Sequence, residues 1–166
     1  MNFTQPKVPV PAGKWEKIFH SASIVLIIMT FMYAALKYAS LPDTIPIHFN
    51  AQGEVGNWGN KAMIFMLPVI SLLLYIMFYF LNMVPHLFNL PVNITEENAA
   101  RIYPLARMMM AIFNFEMMAI FSYVTWEMIN VAQGHSATLD IWFVLVVFVV
   151  PLGTIALFIP CMRRRQ

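Results

Sequence analysis

Four long apolar stretches separated by short polar ones dominate this chain. The first is centred on IVLIIMTFM and the second is AMIFMLPVISLLLYIMFYFLNMV; the third carries MMMAIFNFEMMAIFSYVTW and the fourth is IWFVLVVFVVPLGTIALFI. Each approaches the roughly 20 residues that cross a hydrocarbon layer of ~30 Å. The pattern predicts membrane helices over about 16–39, 62–84, 96–133 and 139–160, in a single integral membrane domain spanning 1–166. The connection 40–61, which contains LPDTIPIHFNAQGEVGNWGNK, is the one long interior run unsuited to lipid. Leu41-Pro42 and Ile45-Pro46 push the residues before proline into extended backbone. Ile45, Ile47 and Phe49 alternate with Pro46, His48 and Asn50 at the period of a half-buried strand. Asn50-Ala51-Gln52-Gly53 spells a turn, and Gly56, Asn57 and Gly59 bracket Trp58. Asn60 is placed to cap the helix that follows. The fold class expected is therefore all-α: a four-transmembrane-helix bundle with a small extracellular β-hairpin-like loop between helices 1 and 2.

Local signals refine this outline. Pro6, Pro9 and Pro11 forbid helix, so the residues through Gly13 form a disordered or surface-lying tail, and Trp15 with Lys14 and Lys17 marks an interface. Without a small-residue cleavage site after it, the first apolar run is a retained helix. Thr95 followed by Glu96 and Glu97 opens the third helix, placing a hydroxyl and carboxylates at free amides and a positive dipole end. That helix is too long for the hydrocarbon core, so its first turns project beyond the membrane or lie along it, with an adjustment near Pro104. Thr138 and Asp140 start the fourth helix, which Pro151 and Gly153 can kink. Basic residues set the orientation. With both termini in the cytoplasm, Lys7, Lys14, Lys17, Arg101, Arg107 and Arg163, Arg164 and Arg165 lie inside, leaving only Lys37 and Lys61 outside. The long loop then faces out, beside the turn at His135, and the expected location is a bacterial cytoplasmic membrane.

Composition narrows the function classes. Hydrophobic residues make up 60% and charged residues 11% of the 166, which leaves no room for a soluble domain, whose charged share averages about 25%. The net charge of +2 and the placement of basic residues at helix ends do not imply nucleic acid. Cys161 is the sole cysteine, excluding an internal disulfide and a cysteine-based metal site.

The run Leu41-Pro42-Asp43-x-Ile45-Pro46-x-His48-Phe49-Asn50-x-x-Gly53-x-x-x-x-Trp58-Gly59 resembles the bacterial membrane family of domain of unknown function 1648. That module is also the N-terminal part of SdpI-type proteins, and TEEN...RIYPLAR is similar to the family as well. The resemblance implies the same helical fold and orientation, and for SdpI-type proteins a role in toxin immunity and signalling.

Among candidate chemical groups, Glu116 stands out, because an ionised carboxylate mid-membrane costs several kcal/mol. At 100° per residue, Glu116, Tyr123, Glu127 and Asn130 share one face of the third helix, while Arg107, Asn114 and Thr125 form a second stripe. Glu116 is either a protonated group hydrogen-bonded to a neighbouring helix or part of a proton or ligand path. His20 is more simply an interfacial histidine than a proton carrier, and Tyr75, Tyr79 and Asn82 give the second helix a sparse polar edge. No cofactor is implied, and no metal site is expected. Its weak alternative is His48, His135 and Glu127, with Asp43 and Asp140 nearby, which lack any ligand spacing such as HExxH. Nucleophile-elbow, Walker and dinucleotide-turn motifs are absent, and the fourteen methionines suit helix packing.

These readings favour a non-enzymatic integral membrane protein of the immunity or sensory type. It would recognise a peptide or envelope component through its outward loop, with His48, Asn50, Trp58, Glu116, Tyr123 and Glu127 as candidate ligand-binding residues. Two alternatives stand beside it: an accessory subunit of a membrane transporter or complex, and a proton-coupled carrier or membrane enzyme using Glu116. The partners expected are the lipid bilayer and a peptide or membrane protein, with homo-oligomerisation open.

Overall fold

The computed structural model describes residues 5–166, so the first four residues of the expected tail lie outside the described residues. Four helices carry the chain: α1 (Lys14–Tyr38), α2 (Met66–Asn82), α3 (Glu96–Ala132) and α4 (Ile141–Arg163). All are long and apolar enough to cross a membrane once the short 3₁₀ turn Lys61–Phe65 is counted with α2. The protein is a multi-pass membrane protein. Between α1 and α2 lies an antiparallel hairpin of β1 (Thr44–Phe49) and β2 (Val55–Asn60). Both ends of the described chain, with the connection from α2 to α3, sit at the bundle end opposite the hairpin, where Phe88, Ile102, Ala106 and Met162 pack together.

The long helix α3 is the axis. Its 37 residues extend over roughly 55 Å at 1.5 Å per residue, and α1, α2 and α4 all pack against it. Pro104 lies in its third turn without breaking it. Thr95 caps it: the hydroxyl accepts the Asn98 amide at 3.3 Å, while Asn98 Oδ1 accepts the Thr95 amide at 2.9 Å. By contrast, α4 packs on α3 and makes no comparable contact with α1 or α2.

The hairpin is spelled by local chemistry. Asn50 Oδ1 accepts the amides of Gln52 and Glu54 at 3.0 and 2.9 Å, and the Gly53 amide closes the turn on Asn50 O at 2.9 Å. Gly53 takes φ +80°, the left-handed conformation that this turn requires. The period-two alternation does not survive intact. Irregularities between Pro46 and His48 and between His48 and Phe49 bury Ile45 and Pro46 in succession. A proline cannot donate to the ladder, and a bulge accommodates it.

The hairpin is fastened to the bundle at three places. Ile45, fully buried, joins Ala34, Leu41, Ile64, Met128 and Ile129 in an apolar cluster under the strands. Lys61 meets Asp43 at 3.1 Å and stands 5.7 Å from the Tyr38 ring centre. At the tip, Gly53 O accepts the Leu139 amide at 2.7 Å, tying the turn to the connection between α3 and α4. Asn60 caps the following turn as its position suggested, accepting the Ala62 amide at 2.9 Å.

A Cβ at Gly53 would fall 2.2 Å from Leu139 O in a backbone conformation hostile to L side chains. Gly53→Ala is expected to destabilise the protein by on the order of 2–3 kcal/mol. Gly153→Ala, with open space around it inside α4, is expected to be neutral or stabilising by up to about 1 kcal/mol. Thermal unfolding of both variants in detergent checks the contrast.

Candidate functional site

The best-built polar site is assembled at the termini end of the bundle from residues far apart in sequence. Glu16 is the third residue of α1, and its Oε2 reaches back to the Gly13 amide at 3.3 Å. An acid there suits the positive end of the helix dipole. The same carboxylate points into the bundle, 5% exposed, and its Oε1 accepts Arg107 Nη2 at 2.6 Å and Nε at 3.2 Å. Asn82, at the end of α2, donates to Oε1 as well, at 3.0 Å. Arg107 Nη1 donates to the carbonyl of Val10. One carboxylate therefore joins α1, α2 and α3, while its guanidinium partner holds the segment before α1.

That segment is a surface-lying strap, consistent with one of the two expectations for it. Tyr103 Oη donates to Pro6 O at 2.7 Å and Gln5 Nε2 to Phe88 O at 2.8 Å. Prolines leave its carbonyls without regular backbone partners, so side chains of α3 can take them.

His20 lies one turn above Glu16, with Nε2 3.2 Å from Asn82 Nδ2 and 3.9 Å from Glu16 Oε1. Its ring meets Tyr79 and Tyr75 edge-on, with centroids 5.2 and 6.1 Å away. His20, expected as an interfacial residue, is half-buried and faces Glu16 on its own helix and Asn82, Tyr75 and Tyr79 on α2. Beside these groups is a cleft of about 700 Å³ between α1 and α2, floored by Arg107. His20 Nδ1 and Asn82 Oδ1 are buried there without a partner among the described residues.

Polar groups continue up the seam between α1, α2 and α3. Ser23 and Ser71 return their hydroxyls to the carbonyls of Phe19 and Leu67, a common solution for hydroxyls in apolar surroundings. The Thr30 and Ser122 hydroxyls are 2.7 Å apart. Asn114, fully buried, has neither amide atom bonded within the described residues. Between them Ile27, Tyr75 and Met118 form an apolar plug. The stripe of Arg107, Asn114 and Thr125 expected on α3 is buried throughout.

The residues singled out from sequence are not brought to one place. Glu127 is buried, accepting Tyr123 Oη at 3.2 Å and Ser136 Oγ at 2.9 Å, which locks the start of the α3–α4 connection. Glu116 bonds Thr154 of α4 through Oε1, leaving Oε2 buried and unpartnered among the described residues. His48 and Asn50 border a groove of about 400 Å³ beneath the hairpin, whose walls come from α2, α3 and α4. Trp58, 52% exposed, is outside that groove. Among the described residues, no three His, Cys, Asp or Glu side chains gather at metal-binding range, so His48, His135 and Glu127 form no such set.

The sequence reasoning missed Glu16, and it saw Arg107, Asn82 and His20 without joining them. A usable signal was present. Glu16, His20, Ser23 and Thr30 recur at helical spacing along one face of α1, as do Ser71, Tyr75 and Asn82 along α2.

Residues 25–72 match the family model described as a domain of unknown function (DUF1648). An uncharacterized protein of Archaeoglobus fulgidus is 29% identical over 91 residues, which cover 50% of this chain and 50% of the relative. The chain spans about half the length of that relative. No solved structure matches the chain. The matched stretch contains the hairpin with His48, Asn50 and Trp58, whereas Glu16, His20, Asn82 and Arg107 fall outside it.

Removing one partner of a buried ion pair strands the other charge, typically at about 3–5 kcal/mol, while an apolar replacement of both is far less costly. Arg107→Leu and Glu16→Leu are each expected to destabilise by that order, and the double variant by clearly less than their sum. Unfolding of the four proteins in detergent, read as a double-mutant cycle, measures the coupling.

Proposed function

We infer that this multi-pass membrane protein of the DUF1648 family is a non-enzymatic binding protein that takes an acylated envelope component into the groove beneath its hairpin. The observation that carries this reading is the groove itself. Its floor and walls are apolar, supplied by Leu67, Val124, Phe143 and Val147 among others, and its rim is His48, Asn50 and Ala51 of the hairpin. Such a surface complements a chain-bearing molecule with a polar head. His48 is the sole titratable residue lining it, which favours binding over catalysis.

The hairpin suits this role because it is already rigid. With the strand core packed on the helices, the turn bonded to the α3–α4 connection and Lys61 paired with Asp43 beside the Tyr38 ring of α1, little ordering entropy remains to oppose binding. The excess of basic residues at the termini end supports an orientation with the hairpin outside the cell. The family match covers the hairpin and the adjoining parts of α1 and α2, the segment this reading rests on.

A fluorophore on Ala51→Cys, in a Cys161→Ser background, reports occupancy in nanodiscs titrated with a myristoylated peptide. A saturable response is expected, abolished by Val144→Trp, which fills the groove, and weakened several-fold by His48→Ala. Trp58→Ala is expected to leave it unchanged. A linear, unsaturable response identical in all variants would indicate partitioning into lipid and remove the proposal.

A further inference from the structure

The cleft between α1 and α2 at the termini end lies far from the hairpin groove, and its unsatisfied groups specify what can enter it. Glu16 Oε1, 3.0 Å from the Asn82 amide nitrogen, fixes the orientation of that amide, since the flipped form would set oxygen against carboxylate. The same nitrogen lies 3.2 Å from His20 Nε2, so Nε2 accepts and the ring proton sits on Nδ1. The two residues lining the cleft therefore hold one unpaired donor, His20 Nδ1–H, and one unpaired acceptor, Asn82 Oδ1, both buried just behind its surface and without a partner among the described residues. Asn82 is 1% exposed, and an acceptor so buried is costly to leave empty.

The cleft continues outward past Lys17, Ser21 and Ile24 on α1. Lys17 borders an adjoining hollow together with Lys14 and Ile18. Glu16 and Arg107 cancel each other, so these two lysines set the charge at the mouth, and neither forms an ion pair among the described residues. Exposed Ile18, Ile24 and Trp15 place the opening against the lipid at headgroup depth. A positive rim, a donor–acceptor pair inside and apolar flanks fit an amphiphile that carries a phosphate.

We propose that this cleft is a binding site for a phospholipid headgroup bearing its own hydrogen-bond donor. The phosphate accepts from His20 Nδ1–H and is neutralised by Lys17. The headgroup hydroxyl or ammonium donates to Asn82 Oδ1. Phosphatidylglycerol and phosphatidylethanolamine carry such donors, whereas the trimethylammonium of phosphatidylcholine carries none and leaves Asn82 Oδ1 unpaired. One unmade buried hydrogen bond corresponds to roughly tenfold in retention.

Native mass spectrometry of the full chain, released from detergent after incubation with equimolar phosphatidylglycerol and phosphatidylcholine, reads that ratio directly. The expected result is a single retained phosphatidylglycerol favoured about tenfold, with Lys17→Gln and His20→Phe each lowering its retention. Lys17 is exposed, so Lys17→Gln keeps the fold, and circular dichroism verifies both variants. Equal retention of the two lipids, or retention indifferent to Lys17→Gln, overturns the site. Binding of sn-glycerol 3-phosphate as tight as that of the lipid assigns the cleft to a soluble phosphate ester and overturns the lipid assignment.

Discussion

The ion pair between Glu16 and Arg107 is the constraint on which the arrangement of this bundle depends. Lipid chains are as apolar as leucine, so helices in a membrane gain little from burying apolar faces against one another. Association then rests on close packing and on polar contacts that have no better partner elsewhere. A carboxylate and a guanidinium withdrawn from water are such contacts, because separating them in a low-dielectric interior leaves two uncompensated charges. Here the pair draws in Asn82 and the carbonyl of Val10, so that α1, α2, α3 and the proline-rich strap share one network.

The two ends of the bundle are held by different physics. At the termini end the joints are charged and hydrogen-bonded. Beneath the hairpin the joint is a buried apolar cluster around Ile45, closed by the Gly53–Leu139 hydrogen bond at the tip. Between them Ile27, Tyr75 and Met118 separate the open cleft from the upper seam. The polar cleft and the apolar groove thus lie at opposite ends of the bundle, in surroundings of different chemistry.

Much of the architecture was legible in the residues because its signals are local. Apolar runs mark the four crossings. The prolines of Leu41–Pro46 and the Asn50–Gly53 turn mark the hairpin, since backbone restrictions act on immediate neighbours. The bulges around His48 were not legible, because they belong to a strand whose Ile45 packs against helices distant in sequence. The polar site was hidden for the same reason. Glu16 and Arg107 stand 91 positions apart, and each resembles an ordinary charge at a helix end. Glu116 drew attention because a carboxylate inside an apolar run is conspicuous in one dimension, yet its partner is a single threonine of α4. Burial and pairing are properties of the contact, and only the fold creates it.

Hydrogen–deuterium exchange of Arg107→Leu against the unaltered protein tests the central role of the ion pair most directly. The account predicts faster exchange confined to the termini end, at the first turns of α1 and the last turn of α2, with the hairpin unchanged. Unaltered protection at Glu16–His20 and Tyr79–Asn82, or a loss spread evenly over the bundle and hairpin, would contradict it.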